Sequence, residues 1–215
     1  QALGSMRIQL RLDENASYQA EDYGVAVDIG TTTLAFALLK RQTGEVIDVY
    51  TMVNHQRSYG ADVISRIQAA NGQNGKKLTT CILTDIKNGF HILQKRNPQK
   101  KISSVVIAGN TVMMHLLRGY SCLGFTKYPF TKISLDMEEL SFAKLLSQAD
   151  DVKAEVVKSD IEDISVTILP GISAFVGADI TAGIFVCDMI KAGQISLLLD
   201  LGTNGEMALR TNTGI

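Results

Sequence analysis

Two stretches of the chain end in nearly the same way, and their separation constrains the fold more than any other feature. Val27-Asp28-Ile29-Gly30-Thr31-Thr32-Thr33 and Leu199-Asp200-Leu201-Gly202-Thr203-Asn204-Gly205 each carry an apolar run into Asp-x-Gly-Thr. A tight turn after a strand points successive backbone N–H groups into a concavity that can cradle phosphate oxygens. Glycine lets the backbone approach the phosphate, threonine hydroxyls add donors, and the preceding aspartate can hold Mg²⁺ through water. One such turn is common and says little. Two of them, separated by a helix-and-strand body of the length one α/β lobe needs, predict a pair of loops facing one polyphosphate. Asp28, Gly30, Thr31, Thr32 and Thr33 belong to the first loop. Asp200, Gly202, Thr203, Asn204 and Gly205 belong to the second, with Asp28 and Asp200 organising the metal. The competing reading is two unrelated turns.

Other chemistries find little support. There is no G-x-x-x-x-G-K-[ST], no strand–G-x-G-x-x-G–helix and no G-x-S-x-G elbow. The three cysteines, Cys81, Cys122 and Cys187, are odd in number and widely spaced, against a disulfide framework and without a C-x-x-C for zinc or an iron–sulfur cluster. Twenty-one Lys+Arg against 22 Asp+Glu give a net charge of −1, which lacks the basic footprint of a nucleic-acid binder. No apolar run reaches the roughly 18 residues of a membrane span, and no signal peptide opens the chain. These features predict a soluble, cytoplasmic protein with neither nucleic acid nor membrane as partner.

Along the chain, residues 1–5 read as a cloning scar and residues 6–22 as a linker. Tyr23–Ile29, Leu34–Leu39 and Val46–Val53 read as three strands of an antiparallel meander. Asp62 can cap a helix with Val63, Ile64, Ile67 and Ala70 on one face, ended by a loop at Asn71–Gly75. A longer helix carries Leu78, Ile82, Ile86, Phe90 and Leu93 as a stripe and stops near Asn97-Pro98. Ile102–Ala108 reads as a buried strand and Asn110–Arg118 as a helix stopped by Gly119. Residues 120–163 give no clear pattern; Asp136 to Asp163 is acidic and reads as a surface segment. A strand at Ser165–Leu169, a small-residue helix from Val176 to Ile190 and a strand at Ile195–Leu201 complete the expectation.

The paired loops resemble those of the superfamily of acetate kinase, sugar kinases, heat-shock chaperones and actin. Five longer phrases narrow the resemblance: Asp28–Ala35, Tyr59–Ile67, Ala108–His115, Leu169–Ile180 and Leu199–Glu206. Together they are similar to the ATP-dependent reductive activators of corrinoid proteins, from Tyr23 to the C-terminus. The resemblance implies an α/β ribonuclease-H-like lobe, a mixed sheet flanked by helices. Residues 23–192 would form that first lobe, with 120–163 as an insertion and 193–215 as the opening strands of a second lobe. It implies ATP and Mg²⁺ as cofactors, and a corrinoid protein, returned from Co(II) to Co(I), as partner. It places a [2Fe–2S] centre, served by an electron donor, in an N-terminal domain that this chain lacks, and leaves room for a homodimer. A fragment of this kind is expected to be inactive alone. The phrase Gly177-Ala178-Asp179-Ile180-Thr181-Ala182-Gly183 matches the helix that crosses between lobes, which makes Asp179 the candidate for positioning or activating a nucleophile near the γ-phosphate.

Elsewhere the plain readings prevail. Met113 and Met114 pack a helix, His115 is a packed histidine rather than a corrinoid ligand, Arg57 and Arg66 are solvated, and the three cysteines are buried small hydrophobes. Asn110 either lines the cleft or caps its helix. The rival functions are another enzyme of the superfamily, such as a small-molecule kinase, and a non-catalytic module that recognises a corrinoid protein.

Overall fold

The computed structural model describes residues 22–149, 152, 164–191, 195–202 and 204–215. The expected meander forms: β1 (Asp22–Ile29), β2 (Thr33–Lys40) and β3 (Val46–Val53) pair antiparallel in sequence order. β4 (Lys101–Gly109) then lies parallel to the open side of β1. A parallel neighbour requires a crossover, and the helices α1 (Val63–Ala69) and α2 (Gly75–Arg96) supply it. β6 (Ser165–Ile168) adds parallel to β4, and β5 (Glu138–Ser141) closes the far edge antiparallel to β6. The result is a mixed six-stranded sheet in the order β3-β2-β1-β4-β6-β5.

Alternation decides which face of the sheet is buried. Val25, Val27 and Ile29 of β1, Leu34, Phe36 and Leu38 of β2, and Val105 and Ile107 of β4 all point to one side. Against them α2 lays the predicted stripe, Leu78, Ile82, Ile86, Phe90 and Leu93, with Leu83 beside it. Helix α3 (Thr111–Leu117) is buried along its whole length. Asp62 caps α1 as expected, accepting from Ser65 N–H at 2.7 Å while its own N–H donates to Ser65 Oγ at 3.1 Å, a reciprocal cap.

Several expectations need correction. Ile64 is exposed while Val63 and Ile67 are buried, because α1 is only two turns long and touches the core along a narrow line. The Asn71–Gly75 segment is not an open loop. The chain makes a wide helical turn at Ala70–Asn74, kinked at Gly72, and runs on into α2. Part of the acidic stretch is structural: β5 joins the sheet, and α4 (Phe142–Leu146) buries Phe142, Leu145 and Leu146. Arg66 is fully buried, whereas Arg57 is exposed as expected. Cys122 is buried and Cys81 half-buried, with burial raising both thiols to about 11, but Cys187 is exposed at the end of its helix.

Beyond α3, the chain from Tyr120 to Ile133 is pinned by His115. Its Nδ1 donates to the Thr111 carbonyl at 2.9 Å, and its Nε2 accepts from Ile133 N–H at 3.2 Å. Tyr120 and Phe125 meet the ring edge-on. Both nitrogens are used, so the ring is neutral and closed to a metal. Burial lowers its pKa from 6.5; the Thr111 bond opposes that shift and the Arg118 charge adds to it. A depressed pKa makes the stability contribution complete above the unfolded value and lost as pH falls below it. The urea midpoints of wild type and His115→Gln, followed from about pH 7.5 to about pH 5.5, are therefore expected to converge as pH falls; a gap independent of pH would contradict this.

Helix α5 (Ala178–Val186) follows β6, shorter at both ends than the expected span. It carries the ribbon β7 (Ser196–Leu201) and β8 (Gly205–Arg210), an antiparallel pair separate from the main sheet. A small second cluster, Ile180, Ile184, Met189 and Ala208 with Leu198 against it, joins ribbon to helix. Among the described residues no helix is long and apolar enough to cross a membrane.

Candidate functional site

Two strand turns and two helix starts converge at one end of the sheet. The β1–β2 turn leaves the core strand after Ile29, which is wholly buried and fixes where Gly30 begins. Gly30 N–H donates to the Thr33 carbonyl at 3.0 Å, and a Cβ at Gly30 would lie 2.6 Å from that same oxygen, so the turn is too tight for any side chain there. The N-terminus of α3 comes alongside. Asn110 resolves its two readings by doing both: Oδ1 accepts from Met113 N–H at 3.0 Å as a helix cap, and Nδ2 donates to Thr31 Oγ1 at 3.3 Å.

The third element is the start of α5. Thr111 Oγ1 donates to the Ser173 carbonyl at 2.8 Å, tying α3 to the chain that leads into Gly177 and Asp179. Asp179 sits in the first turn of α5, where the helix dipole favours a carboxylate, and its Oδ1 accepts from Ile180 N–H at 2.8 Å. The β7–β8 turn is the fourth element. Its strand pairing sets Asp200 opposite Glu206, so both carboxylates emerge on the same face.

Between these elements lies a cleft of about 290 Å³. Of the residues the sequence singles out, Asp28, Gly30, Thr31, Thr32, Thr33, Asp179, Asp200, Gly202 and Asn204 line it. Gly205 begins β8 just past the lining, and Thr203 lies outside the described residues. Glu206 also lines the cleft and was not anticipated; the hairpin register, which places it across from Asp200, is the signal that finds it.

The site is acidic and under electrostatic tension. Asp28 keeps contact with solvent through the cleft mouth, yet the surrounding protein raises its pKa, and the charges of Asp179 and Asp200 raise it further. Burial also raises Asp179; the Ile180 N–H bond opposes this and Asp200 adds to it. Glu206 is raised by partial burial, Asp179 and Asp200. Carboxylates crowded in this way are stabilised by a cation. Among the described residues no three acidic, histidine or cysteine side chains converge closely enough to hold a metal directly. The donor set therefore fits an ion that keeps several of its own waters and takes further oxygens from a phosphate, as Mg²⁺ does.

Comparison with known proteins identifies relatives of this chain. A family model described as the RACo middle region matches residues 23–192. The corrinoid activation enzyme RamQ of Eubacterium limosum is 30% identical over 195 residues, covering 87% of this chain and 30% of RamQ. A reductase of Methanosarcina barkeri, specific for the Co(II) methylated amine-specific corrinoid protein, is 24% identical over 193 residues, covering 87% of this chain and 34% of that protein. A solved structure of a reductive activator for a corrinoid, iron–sulfur protein superposes with a TM-score of 0.77 at 30% identity, over 92% of this chain and 30% of that one. The chain thus spans about a third of the length of the proteins it matches. With the mixed sheet in common and the family model running from the first residues of β1 past the end of α5, this chain belongs to the RACo middle region family.

Proposed function

We propose that this chain is the nucleotide-facing part of an ATP-dependent reductive activator that returns a corrinoid protein from Co(II) to Co(I). The observation that carries the reading is the convergence of both Asp-x-Gly turns and Asp179 on one acidic cleft, in a chain whose relatives are named for corrinoid activation and corrinoid-protein reduction. The sheet is read as a ribonuclease-H-like lobe and the β7–β8 ribbon as the start of its counterpart. N–H and hydroxyl groups of Thr31, Thr32, Thr33, Thr203, Asn204 and Gly205 bind the phosphates, while Gly30 and Gly202 close the turns with their own N–H groups and let the backbone approach. Asp28 and Asp200 accept hydrogen bonds from the waters of a hydrated Mg²⁺. Asp179 orients the nucleophile near the γ-phosphate. Mg-ATP supplies the free energy that favours the reducing complex, and coupling of this kind is reciprocal between the nucleotide and corrinoid-protein sites. A [2Fe–2S] centre, which this reading places outside residues 22–215, would supply from its donor the single electron that converts Co(II) to Co(I).

The test uses the full-length protein, with calorimetric titration of Mg-ATP and the absorbance of the corrinoid partner as readouts. Mg-ATP is expected to accelerate the appearance of Co(I), and Asp200→Asn to weaken Mg-ATP binding about tenfold or more, the scale of losing a charged metal or phosphate contact. Co(I) formation that ignores ATP would favour a non-catalytic recognition module. Phosphorylation of an added small molecule would favour a kinase.

A further inference from the structure

Three consecutive carbonyls of the β1–β2 turn are held from the protein side. Asn54 Nδ2 donates to the Gly30 carbonyl at 2.9 Å, Arg66 Nη2 donates to that of Thr31, and Asn54 N–H donates to that of Thr32 at 2.9 Å. Asn54 and Arg66 are both fully buried. In a trans peptide the C=O of one residue and the N–H of the next point in opposite directions. The Tyr128–Pro129 bond is the sole cis peptide among the described residues, so the rule applies throughout the turn. Holding these oxygens inward therefore turns the N–H groups of Thr31, Thr32 and Thr33 outward. Among the described residues no protein group accepts from Thr31 N–H or Thr32 N–H. Adjacent outward N–H groups make a concavity suited to an anion.

Arg66 adds charge to this arrangement. Besides the Thr31 carbonyl, its guanidinium donates to the Gly60 carbonyl at 3.0 Å, Met113 Sδ at 3.1 Å and Gln56 Oε1 at 3.5 Å. Every one of these acceptors is uncharged. Among the described residues no carboxylate forms an ion pair with it; the Cys81 thiol that it also senses is held up at about 11, chiefly by burial, and so stays neutral, and Asp62 is exposed and occupied as the cap of α1. A cation buried without a counter-ion is costly, and the uncharged partners only solvate it. Its compensation lies across the turn: a guanidinium bonded to the Thr31 carbonyl polarises that peptide and strengthens the Thr32 N–H as a donor on the other side. The positive charge also offsets the acidic lining against an incoming polyanion.

We infer that Arg66, assisted by Asn54, is a positioning residue for a nucleoside polyphosphate: it acts through the peptide bonds of the Gly30–Thr33 turn, without touching the ligand, to aim their N–H groups at the phosphates. The inference rests on the nucleotide reading of the cleft and adds to it the group that shapes and charges its first loop.

The test is made on the full-length protein with Arg66→Met, which keeps the length of the side chain and removes the charge and the fork, and Arg66→Lys, which keeps the charge alone. Affinities for Mg-ATP and Mg-ADP are measured by calorimetry, and for adenosine by saturation-transfer NMR at millimolar ligand. Arg66→Met is expected to lose about tenfold or more in affinity for both polyphosphates and nothing for adenosine, with Arg66→Lys in between. A purely structural role would move all three ligands together. Unchanged Mg-ATP affinity in Arg66→Met, or an equal loss for adenosine, would overturn the inference. Should the methionine variant not fold, the lysine variant decides in the same way: a loss confined to the polyphosphates supports the inference, and unchanged Mg-ATP affinity ends it. Failure of the wild-type protein to bind Mg-ATP would bring down the nucleotide reading, and this inference with it.

Discussion

Replacing Asp28 with Asn in the full-length protein is expected to reduce Mg-ATP-dependent activation by about a hundredfold or more, the scale of removing a preorganised charged group from a reacting phosphate. The same substitution is expected to stabilise the nucleotide-free protein. Both effects come from one cause. Asp28 shares its cleft with Asp179 and Asp200, and its pKa is raised by burial and by those two charges. A raised carboxylate pKa means the folded state holds the proton more tightly than the unfolded chain, so ionisation above the ordinary value of 3.8 works against the fold. The amide removes that penalty while keeping the shape. The advantage of the variant in thermal midpoint should therefore be full at neutral pH and shrink as pH falls toward 3.8. Saturating Mg²⁺ should raise the wild-type midpoint more than the variant's. Scanning calorimetry at a series of pH values checks the stability half, and corrinoid reduction checks the other. A variant that activates normally would remove Asp28 from the metal's surroundings.

Gly177→Ala is expected to cost about 1–3 kcal/mol of stability, the usual penalty for forcing a methyl group into filled space, and to weaken Mg-ATP binding in whatever folded protein remains. A Cβ built there lies 2.5 Å from the Thr111 nitrogen and 2.6 and 2.7 Å from Asn110 Cα and carbonyl carbon. All three are backbone atoms at the start of α3, so no side chain can rotate out of the way. Relief comes only by moving the start of α5 away from the start of α3. That shift carries Asp179 away from Asn110 and the first turn, and strains the Thr111–Ser173 hydrogen bond that joins the two segments. Urea unfolding of wild type and variant measures the first effect, and nucleotide titration the second. Equal midpoints and equal affinities would show that the two helix starts do not need their close approach.

Much of this was legible in the sequence wherever a single local rule governs. The meander follows from three short β-branched runs, α1 from Asp62 as a cap ahead of an apolar face, and α2 from a stripe sustained over four turns. The convergence of two turns on one cleft followed from a repeated Asp-x-Gly phrase at the ends of two strands. What escaped notice depends on partners distant in sequence. β5 and α4 have four and five residues, too few for periodicity to register, and the acidic residues around them hide Phe142 and Leu145. Arg66 looks like a solvated charge on an amphipathic helix. Only the arrival of Thr31 from β1–β2, Gly60 from the preceding loop and Met113 from α3 reveals that its acceptors are buried. Glu206 needs the pairing of two strands before it falls opposite Asp200. Asn110 could be read either way because one side-chain amide has enough donors and acceptors for both tasks.

The two turns that face each other across the cleft are mounted on unequal supports. The first leaves β1, a strand hydrogen-bonded on both sides within six, whose last residue is sealed in the core. The second hangs from the β7–β8 ribbon, which rests on α5 through Ile180, Ile184, Met189, Ala208 and Leu198. The two walls of the cleft are therefore set by separate packing: a substitution in that small cluster shifts the Asp200 side, while the Asp28 side stays with the main core.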